Sequence, residues 1–227
     1  MTLKRLAQLC IVVALSAMVL PASADTIKDA NGDDSGWELT VAGAATGFTV
    51  INVVIAPNHL ESELIISVDK SFGPPEEEDG ELDFPTALLI FSQGSSDAQT
   101  AGRIVIRSES IVNNSGYAWS AFRWVIFEPN VAYFNMSDSA GWDTSPLVSQ
   151  TWQDTSGNLA MGLVASGGTV AAGATYSPSG DLVVEVNVDA IDGDSAGFTL
   201  KQTVPEPASL AILVLGAAGL AVRRRRR

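Results

Sequence analysis

The chain has 227 residues, with 13 Lys plus Arg, 26 Asp plus Glu and one His, so its formal charge at pH 7 is −13. At 46% hydrophobic and 17% charged residues it is too apolar for a disordered chain and too aperiodic for collagen or a coiled coil. The length suits one domain or two small ones burying roughly 70% of the unfolded surface. The acidic balance argues against nucleic acid as a partner, because phosphate binding needs a basic footprint. With Cys10 the only cysteine, no intramolecular disulfide and no multi-cysteine metal site can form.

Lys4 and Arg5 precede an apolar run from Leu9 to Leu20, and Pro21 leads into Ala22-Ser23-Ala24. A cationic start, an apolar stretch of about 12 residues and a small-x-small site predict a secretory signal helix, cut by signal peptidase after Ala24. The alternative, a buried N-terminal helix, would make the site formed by Ala22 and Ala24 a coincidence. Cys10 leaves with the signal, so the exported domain has no cysteine and relies on its own core.

Residues 25–203 are predicted to form the exported domain. Alternating or β-branched runs at Trp37–Val41, Phe48–Ile55, Leu64–Val68, Ala87–Phe91, Arg103–Val112, Phe122–Phe127, Leu182–Asp189 and Phe198–Lys201 predict strands. Turn-rich stretches such as Asn113-Asn114-Ser115-Gly116 separate them. About eight to ten short strands without amphipathic helices between them predict an all-β, antiparallel β-sandwich or jelly roll. A βαβ fold would need helical crossovers that the pattern lacks.

Between Phe72 and Pro85, six of the eight residues from Glu76 to Asp83 are acidic, which predicts a solvated loop between strands. Calcium is the alternative reading, but consecutive glutamates on a loop do not preorganise ligands. Asp29, Asn31 and Asp33 open with EF-hand spacing, yet Asp34 and Thr40 stand where the turn glycine and bidentate acid belong. Asp189, Asp192 and Asp194 around Gly193 form a shorter cluster, which turn chemistry alone accounts for. No cofactor is expected, calcium at these clusters being the reservation.

Hydrolase elbows, zinc-protease motifs, Walker loops and dinucleotide fingerprints are absent from the sequence. The sole histidine, His59, sits in a predicted turn, Pro57-Asn58-His59. Acids are abundant enough to pair for a glycosidase, but abundance singles out no pair. Of the tryptophans, Trp124 is in phase with Phe122 and Ile126 and reads as core. Trp142 and Trp152, in the irregular stretch from Gly141 to Gly157, are the candidates for exposure and for stacking on sugar rings.

After residue 203 the character changes. Val204-Pro205-Glu206-Pro207 breaks regular structure, Ala208 to Val222 carries no charge, and Arg223, Arg224, Arg225, Arg226 and Arg227 follow. As a helix the apolar segment would span about 22 Å, against about 30 Å of hydrocarbon. Snorkelling arginines and local thinning would close that gap, and the arginine cluster would hold its end cytoplasmic. Residues 204–227 therefore read as one terminal unit: a proline-bounded motif, a short transmembrane helix and a basic stop.

This ending resembles the PEP-CTERM sorting signal: Pro205, Glu206 and Pro207, an apolar helix and a basic cluster, in that order. The resemblance implies recognition by an exosortase, a membrane enzyme of Gram-negative bacteria, which would cut near Pro-Glu-Pro and pass the protein to the outer surface. It also implies an inner-membrane intermediate and organisms that make exopolysaccharide. A plain membrane anchor and a GPI signal fit the residues less well. The expectation is a non-enzymatic cell-surface or matrix protein, associated with extracellular polysaccharide in a biofilm. The alternative is a secreted polysaccharide-acting hydrolase.

Overall fold

The computed structural model describes residues 25–28, 34–56, 61–78, 81–93, 100–127, 131–187 and 197–205. The predicted signal helix with Ala22 and Ala24, the turn at His59, the clusters Asp29-Asn31-Asp33 and Asp189-Asp192-Asp194, and Glu206, Pro207 and Arg223 to Arg227 lie outside these residues.

The first half contributes β1 (Asp25–Lys28), β2 (Asp34–Gly43), β3 (Ala45–Val54), β4 (Glu63–Phe72), β5 (Glu76–Glu78), β6 (Glu81–Asp83), β7 (Ala87–Gln93) and β8 (Arg103–Asn113). The second half contributes β9 (Trp119–Ile126), β10 (Ala132–Asn135), β11 (Ser149–Ser156), β12 (Leu159–Val170), β13 (Thr175–Tyr176), β14 (Ser179–Val186) and β15 (Gly197–Thr203). The described residues contain no α-helix.

The all-β expectation holds, and the layering differs from it. Thirteen strands form one continuous sheet in the order β1-β2-β7-β15-β9-β12-β10-β14-β8-β4-β3, with β11 added to β12 and β13 to β8. It curls until its ends nearly meet, giving a barrel-like wall in place of two separate sheets. Ala44, between β2 and β3, closes the seam: its N–H donates to Thr86 O at 2.9 Å and its carbonyl accepts from Ser71 N at 2.8 Å. The pairings within this sheet are antiparallel except β4 with β8.

Alternation decides what faces inward. Leu64, Ile66, Val68 and Phe72 on β4, Phe122, Trp124 and Ile126 on β9, and Phe198 and Leu200 on β15 are almost fully buried in one large core. Aromatic rings dominate it: Phe122 meets Trp124 at 4.8 Å and Phe72 at 5.6 Å between centroids, both edge-to-face, an arrangement that adds to area burial. Ile65, Val105 and Val183, neighbours on β4, β8 and β14, make a small buried row of opposite phase.

The acidic segment from Glu76 to Asp83, expected as an unpaired loop, contains a short hairpin of β5 against β6 set apart from the main sheet. Glu76 and Glu77 point to solvent there, so pairing is compatible with the charge.

Candidate functional site

Among the described residues three places carry chemistry: the end of β15, a surface cleft, and a polar network inside the barrel. At its end, β15 is hydrogen-bonded on both sides, Gln202 opposite Ala87 of β7 and Thr203 opposite Arg123 of β9. Val204 is still buried and Pro205 half-buried. Pro205 thus lies two residues beyond the last paired position of a strand that is paired on both sides and cannot be pulled out without opening the barrel.

The cleft has a volume of about 460 Å³ and is lined by Gly102, Arg103, Tyr133, Leu159, Glu185, Val186 and Asn187. Arg103 is held between acids, with Nη2 2.9 Å from Asp138 and Nε 3.1 Å from Glu63. Glu185 accepts from Asn135 Nδ2 at 2.5 Å. Its charged groups are thus already engaged within the protein, Arg103 by two acids and Glu185 by an amide.

The interior network was not anticipated. Lys70 of β4 and Glu109 of β8 form an ion pair with both side chains fully buried. Gln202 Nε2 of β15 donates to Glu109 Oε1 at 2.9 Å, the oxygen that also accepts from Lys70. Trp124 Nε1 donates to Glu109 Oε2 at 2.9 Å. Tyr176 Oη, Gln202 Oε1 and Trp142 Nε1 are buried without a partner. Burial outweighs the attraction of Glu109 and holds the Lys70 ammonium below the usual lysine range. The Tyr176 phenol is pushed far above its ordinary value by burial, then by the negative charges of Glu109 and Asp143.

The sequence held a signal for this network. Lys70 sits in the inward phase of Leu64, Ile66, Val68 and Phe72, and Gln202 in that of Phe198, Leu200 and Val204. Glu109 was harder to find, because an irregularity between Ile66 and Ser67 in the pairing of β4 with β8 shifts the phase of Ile104 and Ile106.

The expectation of an exposed Trp142 is overturned: it is 2% exposed. The turns from Ser137 to Leu147 lie at the surface and plug the core with the side chains they turn inward, Trp142 and Leu147, tied by Trp142 N to Ser139 O at 3.0 Å and by paired bonds between Asp143 and Ser179. Trp142 and Leu147 join the core, and the Trp142 indole stands edge-on to Trp124 at 6.3 Å. An indole walled in this way cannot stack on a sugar. Trp152 is half-buried, 5.9 Å from Phe134 between ring centroids. It belongs to β11, a strand within the stretch expected to be irregular.

Among the described residues no three His, Cys, Asp or Glu side chains gather to hold a metal ion, and no helix is long and apolar enough to cross a membrane. No curated protein and no solved structure matches the chain. Residues 203–226 match the family model of the PEP-CTERM protein-sorting motif. The strand-ending β15 and the segment after it therefore divide the labour at one point: the last residue of the strand is the first of a PEP-CTERM protein-sorting motif.

Proposed function

We propose that this chain is an exported cell-surface or extracellular-matrix protein, cut by an exosortase and released from an inner-membrane intermediate. Its β domain is non-enzymatic and associates with exopolysaccharide in a biofilm. The observation that carries this reading is the match of residues 203–226 to the sorting motif. The cleft beside Tyr133 and Arg103 and the half-buried Trp152 are the surfaces offered to sugar, and calcium has no assigned part.

Fractionation of the producing cells with mass spectrometry of the mature C-terminus tests the delivery. The expected product is extracellular and lacks Arg223 to Arg227; a surface protein that keeps them, or a cytoplasmic one, overturns the reading. Incubating the purified domain with the cells' own exopolysaccharide tests the rest. Binding without new reducing ends is expected, weakened by Trp152→Ala, whereas release of reducing ends would replace a binding domain by a hydrolase.

A further inference from the structure

A buried ion pair is a poor way to stabilise a core, since desolvation of both charges offsets their attraction. This one has an unusual third member. β4 and β8 are neighbours, but β15 is separated from β8 along the sheet by β9, β12, β10 and β14, so Gln202 reaches Glu109 across the interior. Lys70 Nζ and Gln202 Nε2 both donate to the single atom Glu109 Oε1. Amine and amide are therefore no more than two hydrogen-bond lengths apart, with a carboxylate in contact with both. Trp124 fixes the other carboxylate oxygen, and Gln202 Oε1 is left buried with no donor.

We propose that Lys70 and Gln202 are joined by an intramolecular isopeptide bond, with Glu109 carrying the protons. The Lys70 ammonium gives one proton to Glu109, and the neutral Nζ forms a bond to Cδ of Gln202 while the carbonyl electron pair moves to Oε1. Glu109 then protonates Nε2 and takes a proton from Nζ. The carbonyl re-forms, the Cδ–Nε2 bond breaks, and ammonia leaves. An amide N–H, ammonia and a neutral Glu109 account for every proton of the starting ammonium, amide and carboxylate, and no oxidant or reductant is consumed. The product holds no buried charge. Burial favours the neutral amine that the attack needs, as the lowered basicity of Lys70 indicates. Glu109 serves as the proton carrier and not as the acceptor because both its oxygens are held, Oε1 by Lys70 and Gln202 and Oε2 by Trp124. The bond would tie opposite walls of the barrel in a domain that from Asp25 to Thr203 has no cysteine for a disulfide.

The intact mass of the purified wild-type protein decides the matter. It should fall below the mass of its own sequence, between its observed termini, by one ammonia, and a tryptic digest should give a branched peptide containing Lys70 and Gln202. A full mass overturns the bond, as does loss of one water mapped to Lys70 and Glu109. Lys70→Arg should restore the full mass. Glu109→Gln should give a folded chain, by circular dichroism, that keeps its full mass; a folded variant still lacking ammonia at Lys70 and Gln202 removes Glu109 from the reaction. If Glu109→Gln does not fold, Gln202→Glu serves: it should lose water in place of ammonia, and a folded Gln202→Glu chain of full mass overturns the proposal.

Discussion

Trp142 tests the claim that the turns from Ser137 to Leu147 plug the core with inward side chains. Replacing it with Ala deletes an indole that is 2% exposed and leaves Trp124 without its edge-on partner. Because Trp142 Nε1 has no hydrogen-bond partner, the loss is one of packing and burial, about 3–5 kcal/mol for a buried Trp to Ala change. With a urea slope of about 2 kcal/mol per M, the unfolding midpoint should drop by about 2 M. Trp142→Phe keeps a ring against Trp124 and discards an unpartnered N–H, so its cost should stay below about 2 kcal/mol. Val148, one residue beyond the plug and 76% exposed, supplies the control: Val148→Ala should change stability by less than about 0.5 kcal/mol. Equilibrium urea unfolding followed by circular dichroism reads all three. A midpoint shift below about 0.5 M for Trp142→Ala, similar to that of Val148→Ala, would mean that the plug does not exist.

The seam at Ala44 depends on Gly43, whose φ is +65° and where a Cβ would lie 2.0 Å from Thr86 O. Gly43→Ala should cost about 3 kcal/mol by thermal or urea unfolding, from strain plus displaced backbone. Gly116, with φ +80° and open space around it, should cost only about 1 kcal/mol as Gly116→Ala. Tyr176→Phe removes a buried hydroxyl without a partner and should be neutral or stabilising at pH 7. The raised phenol also predicts the alkaline behaviour: its contribution is fully present below about pH 10, where the unfolded phenol ionises, and is lost as pH rises further. Wild type should therefore weaken relative to Tyr176→Phe above about pH 10, and parallel curves would refute the assignment. Arg107 and Asp181 pair at 2.8 Å in the open, so Arg107→Ala should cost under about 1 kcal/mol in the same unfolding assay.

The strands legible in the sequence were those whose inward phase is filled by large apolar residues, such as β4, β7, β8 and β9. β12 escaped because Gly162, Gly167 and Gly168 and small residues dilute its pattern, although Leu163 and Ala165 are fully buried. β11 escaped for a different reason: it hangs on β12 beside the main path, and its Ser149, Gln150 and Thr151 remain in solvent, so neither face needs to be apolar. Trp142 was misplaced because turn-forming residues around it advertise a loop, and local sequence does not say whether a loop folds outward or into a barrel end. The curling of the sheet is likewise a property of pairings far apart in sequence, of which Ala44 is the smallest and most telling part.

The position of β15 sets an order of events. It pairs on one side with β7 and on the other with β9, and so joins the β1-β2-β7 flank to the rest of the wall. A chain crossing a membrane from its N-terminal side would present both flanks before the strand that unites them. The wall can close only when Gly197 to Thr203 has emerged, which brings Pro205 out at the same moment. A processing enzyme waiting for the segment beyond Pro205 would thus meet a chain that has just become able to fold, and a chain stopped short of β15 would offer neither a finished barrel nor a cleavage point.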